Sequence, residues 1–405
     1  MDAFSLPAVV VISTLVMLLI LFAFSLRTLD FQHHDIYRDL KQDRLDHQSA
    51  AALYMCDSTL LAGRDSTSVV LYGDGEAPIG VRKQNWGLFE AVSICRGADD
   101  PFGRTYLMGR ADECSTRAAF WLSDRNIPLT LAGRTSLKGQ VCLPHAGLKY
   151  LDLAEDPFRG DSLSSNQMRA SRRYMPRLSE GLWACLDTLK GMRGRSVPFR
   201  ENAFISFEEP ALSMCCSSRK AVTLRLGGHI VLFGDRLVLS GDSELHDILI
   251  VARTVVIENG FRGSAQIFCA DSIVVKSHVA LQYPSGLFVG SSGQNAPGII
   301  VGEGSTVEGY VGIHWGEKYH YVLESPCFCL QKGALVRGLV YADGSCNING
   351  ATIRGAAYLR DCFYRDARMT YAGTMHDVTV ERSDSLAFPI LLEGPYKRKM
   401  IKHLY

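Results

Sequence analysis

The fold of this chain is decided by the stretch His229–Gln282, which divides into three successive lines of 18 residues. In order they are HIVLFGDRLVLSGDSELH, DILIVARTVVIENGFRGS and AQIFCADSIVVKSHVALQ. The alignment places Ile230–Gly234 over Ile248–Ala252 and over Gln266–Ala270, and the apolar triplet Leu237–Leu239 recurs in the same way. Self-similarity at a fixed spacing is typical of a solenoid, in which each repeat packs on its neighbours.

Each 18-residue repeat divides further into three segments of six. Steps of six from Val231 and from Phe233 mostly reach apolar residues, such as Leu249 and Leu239. Two inward positions separated by one residue are typical of a short strand that ends in a tight corner. The pattern therefore predicts a mainly β protein built on a triangular parallel β-helix solenoid of about 18 residues per coil, with Val231 and Phe233 pointing inward.

Composition limits the possible functions of the chain. Its 405 residues, 47% of them hydrophobic, suffice for several domains with a sizeable core. The formal net charge of +1 gives no indication of a nucleic-acid partner. The 12 cysteines include no CxxC pair, so we interpret them mainly as small buried hydrophobic residues, with metal ligands and disulfides as the alternatives.

Changes in composition divide the chain into six segments. They are a transmembrane anchor (1–26), a helical stalk (27–62), a small β domain (63–153), a polar and helical insertion (154–218), the parallel β-helix (219–382) and a basic tail (383–405). Within the small β domain, the spacing of Gly133 and Gly139 also fits an early coil of the solenoid. The tail is expected to be solvated, with anionic lipid as an alternative partner.

The anchor prediction rests on residues 6–26, which carry no charge and as a helix would be about 31 Å long. A cleaved signal peptide is the alternative, but no Lys or Arg precedes the run. We therefore expect a single-pass membrane protein that contacts the lipid bilayer through residues 6–26. The basic residues that follow the anchor would place the body in the cytoplasm by the positive-inside rule. A pilin-like layout of anchor, stalk and β-rich head would place it outside, and we expect an extracytoplasmic body.

Within the insertion, Ser162–Leu189 is predicted to be helical with a break at Pro176. This stretch contains four arginines, namely Arg169, Arg172, Arg173 and Arg177. Such a cluster can bind phosphate or an acidic sugar. Because Glu180 and Asp187 follow on the same predicted helix, we interpret the cluster as a solvated helix face.

The repeat also predicts which charges lie in neighbouring coils, about 4.8 Å apart. Asp235, Arg253 and Asp271 share one column, while Glu258 and Lys276 share another. Alternating charges of this kind stabilise a surface modestly and form no acid–base pair around a cleft. Five histidines have no partner that the sequence can assign: His229, His246, His278, His314 and His320. No catalytic, cofactor-binding or metal-binding residue is therefore assigned, and we expect a protein that is not an enzyme.

Two enzyme classes with related architectures fit poorly. The Gly-His-Gly signature of pectin hydrolases is missing, although Gly227-Gly228-His229 comes near. Hexapeptide acyltransferases share the 18-residue coil but have small residues at positions where this chain has Val, Leu, Phe and Ile.

The phrasing GALVRGLVYADG at 333–344, followed by INGATIRG at 348–355, resembles the bactofilins. The resemblance implies a small triangular β-helix that polymerises end to end without nucleotide, and it covers about 160 of the 405 residues. Glycines at the ends of the motif fit corners that need positive φ or close backbone approach. Because the anchor, the stalk and the insertions do not belong to the simple family, they could cap the coil ends and prevent filament growth.

An aromatic insertion between two coils is a possible binding site. It contains His314, Trp315, Tyr319 and Tyr321, which could stack on sugar rings or contact a protein. The alternative is that this segment folds back over the edge of a coil. Together these features predict a non-enzymatic, membrane-anchored scaffold or assembly subunit of a bacterial cell envelope, whose partners would be further copies or envelope components. The alternative is an envelope protein that binds or processes polysaccharide.

Overall fold

In this computed structural model the chain is mainly β, with one long apolar helix at its N-terminus, which confirms that part of the predicted fold. The structure describes residues 5–57, 60–61, 64–71, 78–97, 100, 103–151, 157–217, 220–291, 298–315, 327–366, 369–394 and 397–404. The helices are α1 (Ser5–Cys56) and α2 (Glu180–Arg193), with a 3-10 turn at Ser165–Gln167.

The strands are, in chain order, β1 (Ser66–Val69), β2 (Ile79–Trp86), β3 (Phe89–Cys95), β4 (Arg104–Arg110), β5 (Phe120–Leu122), β6 (Leu129–Ala132), β7 (Ser136–Lys138), β8 (Val141–Leu143), β9 (Leu148–Tyr150), β10 (Met168–Ala170), β11 (Val197–Pro198), β12 (Asn202–Ile205), β13 (Leu212–Cys216), β14 (Ala221–Val222), β15 (Arg225–Gly228), β16 (Ile230–Gly234), β17 (Arg236–Leu239), β18 (Glu244–His246), β19 (Ile248–Ile257), β20 (Arg262–Gly263), β21 (Ala265–Val275), β22 (Ala280–Ser291), β23 (Gly298–Val301), β24 (Thr306–Trp315), β25 (Phe328–Leu330), β26 (Leu335–Asn347), β27 (Thr352–Arg365), β28 (Thr370–Ala372), β29 (Thr374–His376), β30 (Thr379–Glu381) and β31 (Arg398–Leu404).

Helix α1 is long and apolar enough to cross a membrane, judged by length and composition. Its 52 residues correspond to about 78 Å. The apolar side chains from Val9 to Leu26 are exposed, whereas Ala50, Ala51 and Tyr54 are buried against a sheet. The alanine-rich end of the predicted stalk therefore finds the packing partner that its composition requires.

That partner is a five-stranded antiparallel sheet in the order β1-β2-β3-β4-β31. One face of this sheet packs on α1 through side chains such as Val81 and Val92. The opposite face carries Trp86 and Phe89, which belong to a different hydrophobic cluster. The last strand lies in the tail that we expected to be solvated, and that expectation is wrong because β31 pairs with β4.

The remaining strands pair mainly in parallel, and their largest sheet closes on itself. We call the parallel strands between Phe120 and Glu381 the parallel stack. Its first ladder runs in the order β11, β13, β16, β19, β21, β22, β24, β26, β27, β5, β8 and β10. A second ladder includes β17, β19, β21, β23 and β25, and a third includes β22, β24, β26, β27 and β30. An apolar core lies among these ladders.

The register departs from the predicted 18-residue alignment at one place. Ile248 pairs with Ala265, and the register then shifts between Ala252 and Thr254, so that Thr254 pairs with Ser272. Gln266 thus lies beside Leu249 in the ladder and not beside Ile248. The paired residues of β19 and β21 are thus one residue closer in sequence in the first ladder than in the second. A bulge in β21 between the two ladders supplies the extra residue.

The inward positions of the first ladder also differ from the prediction. Ile230 and Leu232 lie in the core of the stack, whereas Val231 and Phe233 belong to the cluster on its outer side. Both sides of these strands are buried, because α2 and the antiparallel sheet cover the outer side. Strands buried on both faces lose the alternation of apolar and polar residues, which is why the hexad pattern could not identify the inward side.

The motif repeated at 17 residues is aligned as predicted. Val336 pairs with Ile353, Gly338 with Gly355, and Tyr341 with Tyr358. Gly338 and Gly355 have φ of 133° and 149°, and a Cβ on Gly355 would lie 1.9 Å from the Gly338 carbonyl oxygen. This corner therefore requires glycine, as the sequence indicated.

Chain order and stacking order differ, since strands from residues 120–170 follow β27 in the first ladder. Ala357 of β27 pairs with Phe120 of β5, and β8 and β10 continue the ladder. The residues expected to form a separate small β domain are therefore divided. Those up to Arg110 form the antiparallel sheet, and those from Phe120 onward extend the far end of the parallel stack.

Residues 171–196, which we call the return segment, connect the two ends of the stack. The first ladder separates β10 from β11 by eleven strand intervals, or about 53 Å. The 14 residues of α2 span about 21 Å, and the twelve others reach about 40 Å when extended. The helix predicted for Ser162–Leu189 is restricted to α2, because a continuous helix over the whole return segment would reach only about 39 Å.

Two buried side chains fasten the end of α1 to the antiparallel sheet. Arg398 donates to the carbonyl oxygens of Tyr54 and Asp57, each at 2.8 Å, and its Nε lies 3.6 Å from Glu90. Glu90 also accepts from the Tyr54 hydroxyl at 3.1 Å. A cation at the last turn of a helix satisfies free carbonyl groups and opposes the negative end of the dipole.

We expect Arg398→Met to destabilise the protein by roughly 3 kcal/mol, because it removes the cap of α1 and leaves the buried Glu90 carboxylate with Lys83, at 3.6 Å, as its remaining cation. Unfolding of the full chain in detergent, followed by circular dichroism, measures the change. Lys397→Met is the matched control, since Lys397 is exposed and its loss should cost no more than about 0.5 kcal/mol. Equal effects of both substitutions would contradict the fastening role of Arg398.

Candidate functional site

The aromatic candidates lie at the end of β24. Trp315 is only 7% exposed and packs in the core of the parallel stack, directly against Gly344 and Cys327. Its ring is therefore not available to stack on a ligand, which favours the alternative that this residue covers a coil edge. Tyr319 and Tyr321 lie outside the described residues, so their binding role stays a prediction.

His314 stands at the surface beside Trp315 and opens a row of paired charges along one corner of the stack. Its Nδ1 lies 3.1 Å from Asp343, which also accepts from Arg360 at 3.1 Å. The ring of Trp183 on α2 meets His314 edge to face, with centroids 5.6 Å apart. His314 thus has a carboxylate partner that its sequence neighbours did not reveal.

On the neighbouring strand β27 lies Asp361, which accepts from Arg125 at 2.8 Å. Burial raises the pKa of Asp361 from 3.8 to about 6, while Arg125 and Arg360 act in the opposite direction. A carboxyl with a raised pKa is a feature of catalytic acids. Here the group is one member of a charge row, with Arg125 as its direct partner.

A second group of functional side chains is sealed inside the molecule. Glu113 is fully buried and binds both terminal nitrogens of Arg382, at 2.6 and 2.8 Å. It also accepts from the Tyr358 hydroxyl at 2.8 Å, and Cys114 Sγ lies 3.0 Å from that hydroxyl. Burial, followed by the charge of Glu113, raises the pKa of Tyr358 far above its usual value. Because Glu113, Cys114 and Tyr358 are buried and Arg382 is only 15% exposed, their geometry suits a structural joint between residues 112–118 and β27.

His229, one of the five histidines for which the sequence assigned no partner, has partners at both ring nitrogens. Nε2 lies 2.9 Å from the Gln84 amide and Nδ1 lies 2.6 Å from the Glu209 carbonyl oxygen. Burial lowers the pKa of His229, with the Glu209 hydrogen bond opposing this effect. The ring is stacked on Phe207 with centroids 4.9 Å apart, so His229 helps to pack the antiparallel sheet on the stack.

The predicted charge columns are confirmed. Arg253 Nε lies 3.2 Å from Asp235 and 3.5 Å from Asp271, which belong to the coils on either side. Lys276 forms the corresponding ion pair with Glu258. These exposed ion pairs stabilise the surface modestly and do not enclose a cleft.

The arginine cluster has a different setting from the one predicted. Met168–Ala170 is a strand, and residues 171–179 are non-helical with a bend at Arg173 and Tyr174, so the four arginines do not share a helix face with Glu180 and Asp187. All four side chains are exposed. The predicted break at Pro176 was the one signal that could have indicated this conformation.

Metal chemistry finds no support in the part of the chain that the structure describes, where no group of three His, Cys, Asp or Glu residues could hold an ion. The cysteines of these residues are all free thiols. Burial raises the pKa of Cys142 to about 11 and that of Cys185 to about 12, so neither provides a reactive thiolate at neutral pH.

The raised pKa of Asp361 leads to a pH prediction. Between about pH 4 and pH 6 the folded state holds a proton that the unfolded state has released, so this group's contribution to the unfolding free energy falls as the pH rises through that window. Asp361→Asn removes this loss. Between pH 4 and pH 7 the unfolding free energy of the variant should therefore rise by roughly 2–3 kcal/mol relative to that of the native chain. Urea unfolding at both pH values measures the gain.

Asp235→Asn is the control for this experiment, because Asp235 is a carboxylate in an exposed ion pair. The difference in unfolding free energy between this variant and the native chain should change by less than about 0.5 kcal/mol over the same pH range. Parallel curves for Asp361→Asn and the native chain would show that Asp361 does not titrate in this window.

Comparisons with protein families, with curated proteins and with solved structures found no match to this chain.

Proposed function

We propose that the chain is a non-enzymatic scaffold or assembly subunit of a bacterial cell envelope. In this proposal it is anchored by a single transmembrane helix and carries a parallel β-helix related to the bactofilins. The observation that carries the proposal is the continuous packing from the apolar helix, through the antiparallel sheet, to the parallel stack. A force on the membrane anchor would be transmitted along this path to the body of the protein, because the packed elements are not separated by a flexible joint. The anchor would also fix the position of the body.

Three contacts support a rigid joint between the sheet and the stack. The Gln266 side chain accepts from the Leu88 N–H at 2.9 Å and donates to the Trp86 carbonyl oxygen at 2.9 Å. Trp86 in turn donates its indole N–H to the Asp247 carbonyl oxygen at 2.8 Å. Gln266 is only 2% exposed, so these hydrogen bonds are shielded from water and costly to break.

The β-helix interpretation is supported by the three parallel ladders and by the alignment of Gly309, Gly338 and Gly355 in successive coils. In a parallel β-helix every strand pairs with the strands one coil before and after it. The strands β19, β21, β24, β26 and β27 show this pairing in both directions.

Assembly would use the ends of the stack, where strand edges are unpaired among the described residues. β12 pairs only with β15 and carries Phe204, which is 67% exposed. An exposed edge with a large apolar side chain is a template for pairing with another chain. At the opposite end Phe158 and Leu163 pack on the core and cover part of the last coil.

A membrane-impermeant maleimide applied to intact cells tests the proposed extracytoplasmic body. Cys215 and Cys56 are the exposed thiols among the described residues, whereas Cys346 is fully buried. We expect labelling of the native chain, retention of the label in Cys56→Ser, and its loss in Cys56→Ser/Cys215→Ser. Labelling only after permeabilisation would place the body in the cytoplasm.

Assembly is tested on the full chain in detergent by light scattering and electron microscopy. The fragment 219–382 is unsuitable, because residues 120–170 complete the far end of the stack. We expect concentration-dependent oligomers that are lost in Phe204→Glu, since a charge at an edge strand opposes pairing. Ile300→Glu, at an exposed position in the middle of the stack, should leave them intact. A monodisperse monomer at all concentrations would contradict the assembly role.

A further inference from the structure

A cationic segment begins at the last strand of the first ladder and continues into the return segment. Residues 168–177 read MRASRRYMPR and contain four arginines and no Asp or Glu. The arginine side chains are exposed, and Tyr174 between them is 78% exposed. We call these ten residues the arginine segment.

The backbone of the arginine segment is held in place at several points. The hydrogen bonds are Ser171 N to Leu143 O (2.7 Å), Asp124 N to Arg172 O (2.9 Å), Tyr341 Oη to Pro176 O (3.3 Å) and Glu393 N to Arg177 O (2.9 Å). Ser171 is 4% exposed, so the chain is anchored between the arginines. A fixed backbone presents the guanidinium groups as an ordered row and lowers the entropic cost of binding a ligand.

Among the described residues none of the four arginines forms a salt bridge, in contrast to Arg253, Arg360 and Arg382 elsewhere on the molecule. The Asp124 carboxylate, which lies on the neighbouring loop, pairs with His145. With its amide oriented to satisfy both neighbours, Gln140 places its oxygen 2.7 Å from Arg169 Nε and orients that side chain. Four like charges that form no ion pair among the described residues create a local field that attracts anions.

An open depression lies beside this segment at the end of the stack. Its lining includes Leu143, His145, Leu148, Tyr150, Met168 and Arg169. Tyr150 is 44% exposed, and its ring packs on Phe158 with centroids 4.6 Å apart. Arg169 belongs to both the depression and the arginine segment. An apolar concavity with a cation at its rim is a setting typical of ligand sites.

We propose that the depression and the arginine segment together bind an acidic polysaccharide, a polymer of carboxylate-bearing sugars. The guanidinium groups form paired hydrogen bonds with successive carboxylates, and Tyr150 and Tyr174 pack on the apolar faces of sugar rings. The four arginines are spread along the chain from Arg169 to Arg177, and this spread suits a polymer better than a single anion. A concave end that presents the Tyr150 ring suits a polysaccharide chain better than the flat surface of a bilayer. This binding role goes beyond the scaffold function and does not rest on it.

The test uses the full chain in nanodiscs of zwitterionic lipid, with polygalacturonate as the probe and neutral dextran as its control. We expect binding of polygalacturonate alone, weakened by added salt. Arg172→Ala/Arg173→Ala should weaken binding at least about tenfold, because two charge-assisted contacts are lost. Tyr174→Ala should weaken binding without changing its dependence on salt.

The matched control is Arg193→Ala/Arg195→Ala, which removes the same charge from exposed positions at the far end of the return segment. This variant should bind within about twofold of the native chain, because only long-range attraction is lost. Three results would overturn the proposal. They are no binding of polygalacturonate, an equal loss in the control variant, or tighter binding to phosphatidylglycerol vesicles with the same dependence on Arg172 and Arg173.

Discussion

The molecule depends on a row of apolar side chains on the outer side of the first ladder, which includes Val231, Phe233, Phe268, Phe288, Tyr310 and Tyr358. These side chains project away from the core of the stack and would face water if the stack stood alone. The antiparallel sheet covers one part of the row, and α2 and residues 388–392 cover another. Each large aromatic ring buried in this way contributes on the order of 2 kcal/mol. The joining of the elements therefore follows from the need to cover this row.

Polar groups give this apolar contact a single geometry. Gln266 replaces an apolar residue in the row and binds the main chain at Trp86 and Leu88, together with the Tyr310 hydroxyl at 3.0 Å. A sheet that slid along the row would leave these buried groups without partners, at a cost of several kcal/mol. Apolar burial supplies the attraction, and the buried hydrogen bonds select one position.

The same arrangement explains why the chain crosses the molecule several times. The strands β1 to β4 and β31, far apart in sequence, form one sheet between the apolar helix and the stack. Residues 120–170 extend the stack beyond β27, and the return segment then runs back along the covered side. The arginine segment lies where this return begins, so its charges are displayed by a stretch whose path is set by tertiary contacts. The proposed scaffold role and the proposed polysaccharide-binding role therefore use different parts of the molecule.

The sequence by itself determined the apolar run at 6–26, through its composition, and the features that depend on the repeat. The glycines at 338 and 355 and the charge columns around Arg253 follow from spacing, because a fixed repeat brings the same positions together in neighbouring parallel strands. Only the tertiary structure decided which side of the first ladder faces the core, since covering both sides removes the alternation that would show it. It also decided that Phe120 stacks on Ala357 and that Asp361 pairs with Arg125. Such contacts join residues more than 200 positions apart, and a local period carries no information about them.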